Sequence, residues 1–303
     1  MRKTRPGTVT GDAARITRVD EVDARTVDLT IASPALGRDG HARILLPAVP
    51  VPGADTPVLL LLHGCCDMIP GWTAWTANTD VAELTAGTGV MVVMPEAGTH
   101  GMYSDWWNHG AGGPPAWETF HLRELLPLVE REFGAGGRRA VAGLSMGGLG
   151  TLGYAARHRD LFRSAASFSG VLHTVPGADV LMEMVAAFGG EPLALWGDPV
   201  EQAAIWHAHS PYELAPRLRG LPLYIASGDG TPGPLDPPGA ADDALEATLA
   251  LANRAFVERA GELGLTVTAN LYGPGTHTWP YWERELHRAF PMLMRSIGAT
   301  RGR

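Results

Sequence analysis

Several things are scarce in this sequence, and each scarcity closes off a class of explanation. Its 303 residues include two cysteines, and these, Cys65 and Cys66, are neighbours. Adjacent cysteines seldom form a structural bridge, so the fold is expected to stand on packing alone, and no redox compartment follows from the pair. No apolar run approaches the length of a membrane span. Basic residues are outnumbered, 24 Lys and Arg against 32 Asp and Glu, giving a formal charge of −8 with the acids scattered. Such a chain lacks the basic surface that nucleic acid requires. No Ser/Gly/Pro-rich linker and no internal repeat divides it, so one domain over 1–303 is expected. The opening "MRKTRPGTVTGDAARI" is basic but has no apolar stretch behind it, which points to a cytoplasmic protein rather than a secreted one.

What is present is an alternation of strands and helices. Short segments at Arg15–Val19, Thr26–Ile31 and Ala42–Leu46, spaced by Asp, Gly and Pro, predict an antiparallel beginning. The runs Val58–Leu62, Val90–Met94, Ala140–Leu144, Ser164–Phe168 and Leu223–Ala226 have no polar alternation, as strands covered on both faces do. Between them Leu122, Leu125, Leu126, Val129 and Phe133 keep helical spacing, with Pro127 expected to kink that helix or restrict its start. Leu245, Leu249, Ala252 and Phe256 repeat the pattern later. The alternation predicts a mostly parallel, doubly wound α/β sheet, with residues 171–220 an apolar insertion that serves as a cap or pocket wall.

Chemistry enters at "AVAGLSMGGLG", where Ser145 stands in a Gly-x-Ser-x-Gly pattern between an apolar run and a small-residue helix pattern. A serine hydroxyl is a poor nucleophile at neutral pH, and becomes a good one when a histidine takes its proton and an acid orients that histidine. A sharp strand-to-helix turn would present Ser145, with Gly143 and Gly147 avoiding clashes. The bland alternative is a glycine-rich helix start without chemistry, but the strand and helix flanks favour the nucleophile.

The base is expected late in the chain, and His277 in "LYGPGTHTWPYW" follows the apolar segment Leu265–Leu271 in a loop that can reach the sheet's carboxyl edge. His207 and His209 are read as solvent-exposed, since their spacing does not suit a metal pair. His158 and His287 read as helix surface, and His173 and His100 as possible pocket residues. For the acid the residues leave a choice among Asp229, Asp236, Asp242, Asp243 and Glu246. Asp229 lies closest to the strand end, while Asp242, Asp243 and Glu246 could simply complement a helix N-terminus. The oxyanion hole calls for backbone donors, one from Met146 after the nucleophile and one from Cys65 in "VLLLLHGCC".

Read in order, "LLLLHG", "VVMPEAG", "MYSDWW", "WETF", "ELLPLVE", "AVAGLSMGG", "AASFSG", "SGDGTP" and "GTHTWPYW" resemble the antigen 85 mycolyltransferases and their esterase relatives in the esterase D group. The resemblance covers about residues 55 to 297. It implies an α/β-hydrolase fold with a serine nucleophile, a glutamate and a histidine. Carried over by position, these are Ser145, His277 and Glu246, the last in "ALEATLALANRAF" ahead of Asn253 and Phe256. The resemblance thus prefers Glu246 to Asp229. It also implies a secreted protein as the alternative to a cytoplasmic one. The sequence departs from the mycolyltransferases in the loop after the early strand, where His63 and Cys66 stand in place of an aspartate and an arginine used around the sugar. The expectation is therefore a serine carboxylesterase acting on a small-molecule acyl ester, without cofactor or metal. An acyltransferase is the alternative, and a non-catalytic binding protein on the same fold a lesser one.

Overall fold

The computed structural model describes residues 13–48, 55–65 and 69–299. Nine strands form one sheet in the order β1-β2-β3-β5-β4-β6-β7-β8-β9. The first three, β1 (Arg15–Glu21), β2 (Thr26–Ser33) and β3 (Arg38–Leu45), pair antiparallel, and β3 pairs antiparallel with β5 (Met91–Pro95). From β5 onward every pairing is parallel, through β4 (Thr56–Leu62), β6 (Ala135–Leu144), β7 (Ala165–Phe168), β8 (Leu223–Ser227) and β9 (Val267–Leu271). The antiparallel start and the parallel body are those the sequence predicts.

The uninterrupted apolar runs are explained by two cores. Val58, Leu60 and Leu62 of β4 face one hydrophobic cluster while Leu59 and Leu61 face the other. The same split divides Met91 and Val93 from Val92 and Met94 in β5. Side chains alternate across a strand, so a strand covered on both faces has no position left for a polar residue. The helix Met146–Arg157 covers the first face with Met146, Leu149 and Leu152, and Trp279–Ile297 covers the second with Trp282, Leu286 and Leu293. β9 is an edge strand, and its residues are half-buried or exposed.

Pro127 lies within a helical run that is continuous from Trp117 to Phe133. A π-helical stretch, Phe120–Leu125, precedes the α-helix Leu126–Phe133, in whose first turn Pro127 lies. Having no N–H and a ring that clashes with the preceding turn, proline perturbs the turn before it, and the π-helical stretch lies directly ahead of Pro127.

The insertion over 171–220 is helical: Ala178–Ala187, Pro192–Trp196, Ala203–Ala208 and Pro211–Leu214, with a 3₁₀ turn at Ala215–Leu218. Trp196 and Trp206 are fully buried within it and meet edge to face at 5.1 Å. His209 corrects its sequence reading. It is not a solvent residue but stacks on Trp196 at 4.8 Å and bonds through Nδ1 to the Ile205 carbonyl, because this segment has its own aromatic packing. Cys65 brings a second correction, for it is disulfide-bonded, against the expectation of a fold without disulfides.

Candidate active site

The carboxyl ends of the parallel strands deliver the predicted site residues to one edge of the sheet. The chain turns to one side of β4 to make β5 and to the other to make β6, and ligands bind in the crevice at such a switch point. Ser145 follows β6 directly, with φ 53° and ψ −120°, a conformation rarely adopted by a residue with a side chain. Strain of this kind costs on the order of 1–3 kcal/mol and persists where its surroundings enforce it. Here the enforcing contacts are visible. A Cβ at Gly143 would lie 2.5 Å from the Gly147 carbonyl oxygen, and one at Gly147 would lie 2.5 Å from that of Leu62, so the turn closes only with glycine at both places. The Ser145 amide donates to the Phe168 carbonyl of the neighbouring strand at 2.9 Å.

The acid and base meet from the far side of the sheet. His277 Nδ1 lies 2.6 Å from Glu246 Oε2, with the His277 side chain 11% exposed and that of Glu246 wholly buried. Glu246 sits in the first turn of the helix Ala244–Glu262. Its other oxygen, Oε1, accepts from Gly228 N at 2.7 Å, Ser169 Oγ at 2.8 Å and Ser227 Oγ at 3.1 Å. Four donors therefore converge on one carboxylate, which is what an ion buried without a cation beside it requires. Because a carboxylate only accepts, His277 Nδ1 carries the proton, and Nε2 is left with the lone pair. The ring's other edge is held by Trp282, edge to face at 4.8 Å.

Asp243 ties the two together. It caps the helix, with Oδ1 accepting from Glu246 N at 3.0 Å, while Oδ2 accepts from the backbone N of His277 at 2.9 Å. One side chain thus fixes both the turn that carries the acid and the loop that carries the base. The sequence reading of Asp243 as a helix-start charge holds but is half of its role. Ser169, Ser227 and Trp282, whose indole N–H reaches Ser169 Oγ at 3.2 Å, also support the acid and were not singled out from sequence. Their signal was weak, since serines after strands and tryptophans near helix starts are common.

Asp229 goes elsewhere. Its carboxylate accepts from Thr231 N at 2.9 Å and Thr231 Oγ1 at 2.5 Å, closing a turn on itself. Asp236 accepts from Gly233 N and Tyr281 Oη and so braces the loop that leads to His277. The helical stripe is also shifted from its predicted phase. Leu245 is 41% exposed, and the buried side comprises Glu246, Leu249, Ala250, Asn253, Phe256 and Ala260. Two polar residues occupy core positions there: Glu246 for the histidine, and Asn253 for the Gly170 carbonyl at 2.8 Å.

The loop after β4 closes the other side of Ser145. Gly64 abuts the serine so closely that a Cβ on it would be 3.4 Å from Ser145 Cβ, and Cys65 follows. The Met146 N–H opens the helix after the serine and so belongs to the first-turn donors without an intrahelical acceptor. His63 has no hydrogen-bonding capacity to spare. Its Nε2 accepts from Ala97 N at 2.9 Å, which places the proton on Nδ1 and directs it to the Gly64 carbonyl at 2.6 Å. Burial holds its pKa down at about 4, so the ring is a neutral brace for the loop. A cavity of about 280 Å³ opens beside Gly64, lined by polar groups including Arg38, Glu96, Trp72 and Thr99.

Four other histidines take structural places. His121 bonds Tyr154 Oη and the Glu96 carbonyl, each at 2.7 Å. His173 stacks on Tyr212, and His158 and His287 pair with Glu118 and Asp80. Among the described residues no cluster of His, Cys, Asp or Glu is arranged to hold a metal, and no helix is long and apolar enough to cross a membrane.

Comparison with known proteins gives the chain a family. Residues 33–293 match the Esterase family. The chain belongs to that family. Its sequence is 30% identical over 285 residues to the diacylglycerol acyltransferase/mycolyltransferase Ag85B of Mycolicibacterium smegmatis, covering 89% of this chain and 85% of that one. It is 31% identical over 282 residues to the esterase Rv1288 of Mycobacterium tuberculosis, again across 89% of this chain but 59% of the relative. Among solved structures, MPT51 (FbpC1) of M. tuberculosis superposes with a TM-score of 0.74 at 26% identity, covering 91% of this chain and all of that one. FphF, a fluorophosphonate-binding serine hydrolase of Staphylococcus aureus, shares the fold with a TM-score of 0.68 at 21% identity, over 88% of this chain and 97% of its own. This family member is thus an ester hydrolase with an α/β-hydrolase fold.

Proposed function

We propose that the protein is a carboxylesterase in which Ser145, His277 and Glu246 form the catalytic triad and the amides of Cys65 and Met146 the oxyanion hole. The observation that carries this reading is the 2.6 Å bond between His277 Nδ1 and a fully buried, four-donor Glu246. Ser145 Oγ attacks the ester carbonyl while His277 Nε2 accepts its proton. The tetrahedral oxyanion is held by the two amides and collapses as His277 returns the proton to the departing alcohol. Water, deprotonated by the same nitrogen, then attacks the acyl-serine and releases the acid. Glu246 stays ionised throughout and steadies the imidazolium.

Transfer to an alcohol is the second reading, favoured by the likeness to an acyltransferase/mycolyltransferase, because an alcohol in place of water completes the same cycle. Against transfer to the sugar of that family, His63 occupies the position of its aspartate, and both ring nitrogens are already engaged by backbone. A fluorophosphonate probe tests the shared chemistry. Intact-mass analysis should show a single adduct on the wild type and none on Ser145→Ala, which also loses p-nitrophenyl ester hydrolysis by several orders of magnitude. Labelling and turnover that survive in Ser145→Ala would end the proposal, and an unlabelled wild type would favour a binding protein on this fold. Adding glycerol or a disaccharide to the ester assay separates hydrolysis from transfer by the appearance of acylated acceptor.

A further inference from the structure

The amino ends of the strands, opposite the serine, carry a concentration of positive charge that the ester chemistry does not use. Arg159 lies just beyond the end of the helix Met146–Arg157, Arg163 in the approach to β7, and Arg217 and Arg219 in the approach to β8. All four line one cavity of about 320 Å³, together with Asp160 as its single acid. None of the four side chains makes a hydrogen bond or an ion pair among the described residues, and all are exposed. Several arginines elsewhere are tied down, Arg43 to Asp28, Arg139 to Glu130, Arg157 to Glu118, and Arg284 and Arg288 to Glu285, and what sets these four apart is that they line one cavity together. A chain with a formal charge of −8 has carboxylates enough to neutralise this corner, yet four guanidinium groups share one.

Four solvated like charges around a small concavity repel one another weakly, and an anion seated among them is attracted by all four. Guanidinium groups pair with phosphate through two parallel N–H···O bonds, and the geometry of the fork distinguishes such oxyanions from halides. The volume is at the lower end of the range of small-molecule sites, suited to a headgroup or a small anion and not to a polymer. The buried ring of Phe162 and the half-buried Leu221 give the cavity an apolar side against which a ligand can be desolvated.

We propose that this cavity is a binding site for a multiply charged phosphate, a diphosphate-like group, separate from the esterase centre. The shared chemistry is the clustered phosphoryl charge, whether free in solution or presented by an anionic phospholipid. The test uses the full protein with sodium pyrophosphate as probe, followed by calorimetry and thermal melting, and with phosphatidic acid in phosphatidylcholine vesicles as the membrane arm. Pyrophosphate should raise the melting temperature and bind more tightly than orthophosphate, with affinity falling as salt rises. Arg163→Glu/Arg219→Glu should weaken binding by at least about tenfold, given two lost charged hydrogen-bonding partners, while leaving p-nitrophenyl acetate turnover unchanged. Arg159→Ala/Arg217→Ala, milder in charge, should weaken it in the same direction. Vesicle binding that pyrophosphate competes away would identify the lipid as a source, and binding of pyrophosphate alone would identify a soluble ligand. Wild-type affinity in both double variants, or no binding of either probe, overturns the proposal.

Discussion

Two carboxylates leave the same end of the sheet and meet opposite fates. Asp229 stands two residues beyond β8, half-buried, with Oδ1 accepting both the N–H and the hydroxyl of Thr231. Glu246 stands farther along the chain, wholly buried, receiving His277, Ser169, Ser227 and Gly228. Closeness to a strand end in sequence did not decide which acid serves the histidine. What decided it was a supply of donors for a buried charge and a helix start that could be pinned to the histidine loop. An aspartate that closes its own turn is held facing that turn, whereas a glutamate on a capped helix can direct its oxygens inward.

Unpinning the helix should disturb the Glu246 arrangement and leave Asp229 in its turn. Asp243→Ala removes the cap and the bond to the His277 backbone together, so the Glu246–His277 pair should drift. Turnover is expected to fall about ten- to a hundredfold, with KM little changed, since displacements of this size near a reacting centre cost about that much. The cap itself contributes roughly 1 kcal/mol of stability. A variant that loses that stability and keeps full kcat would show Asp243 to be a cap alone.

A smaller effect sharpens the account of the loop opposite. His63, His121 and His209 each have a pKa held down at about 4, primarily by burial. Their folded-state values lie below the ordinary 6.5, so the unfolded chain binds protons that the folded chain refuses. Stability should therefore be complete above pH 6.5 and decline as pH falls toward 4, by up to about 3 kcal/mol for each fully buried ring and less for the half-buried His209. Urea unfolding midpoints across that window measure it. A flat profile would mean that these rings are charged or solvated in the folded protein.

Much of this fold can be read without coordinates because its signals are local. The runs in β4 to β8 are continuous because two cores claim alternate residues, and the Gly143 and Gly147 positions announce a turn too tight for side chains. Ser145 and His277 stand in such local signals, one in a glycine frame and one in a Gly/Pro-rich loop. Glu246 does not. A hydrophobicity pattern assigns its helix face to Leu245, because a buried carboxylate looks polar in sequence, and its partners Ser169 and Ser227 come from strands brought alongside by the sheet. Resemblance, and not spacing, pointed to it. The aromatic packing around His209 escaped notice for the same reason, since Trp196 and Trp206 meet only once the insertion has folded.

The central claim, that Glu246 and not Asp229 orients the base, is tested most directly by measuring kcat for p-nitrophenyl ester hydrolysis in Glu246→Gln and Asp229→Asn, with circular dichroism confirming that both are folded. Glu246→Gln should lose several orders of magnitude, as other triads do when the orienting carboxylate becomes an amide, and Asp229→Asn should stay within about threefold of wild type. A folded Glu246→Gln that turns over normally beside an inactive Asp229→Asn would contradict the account.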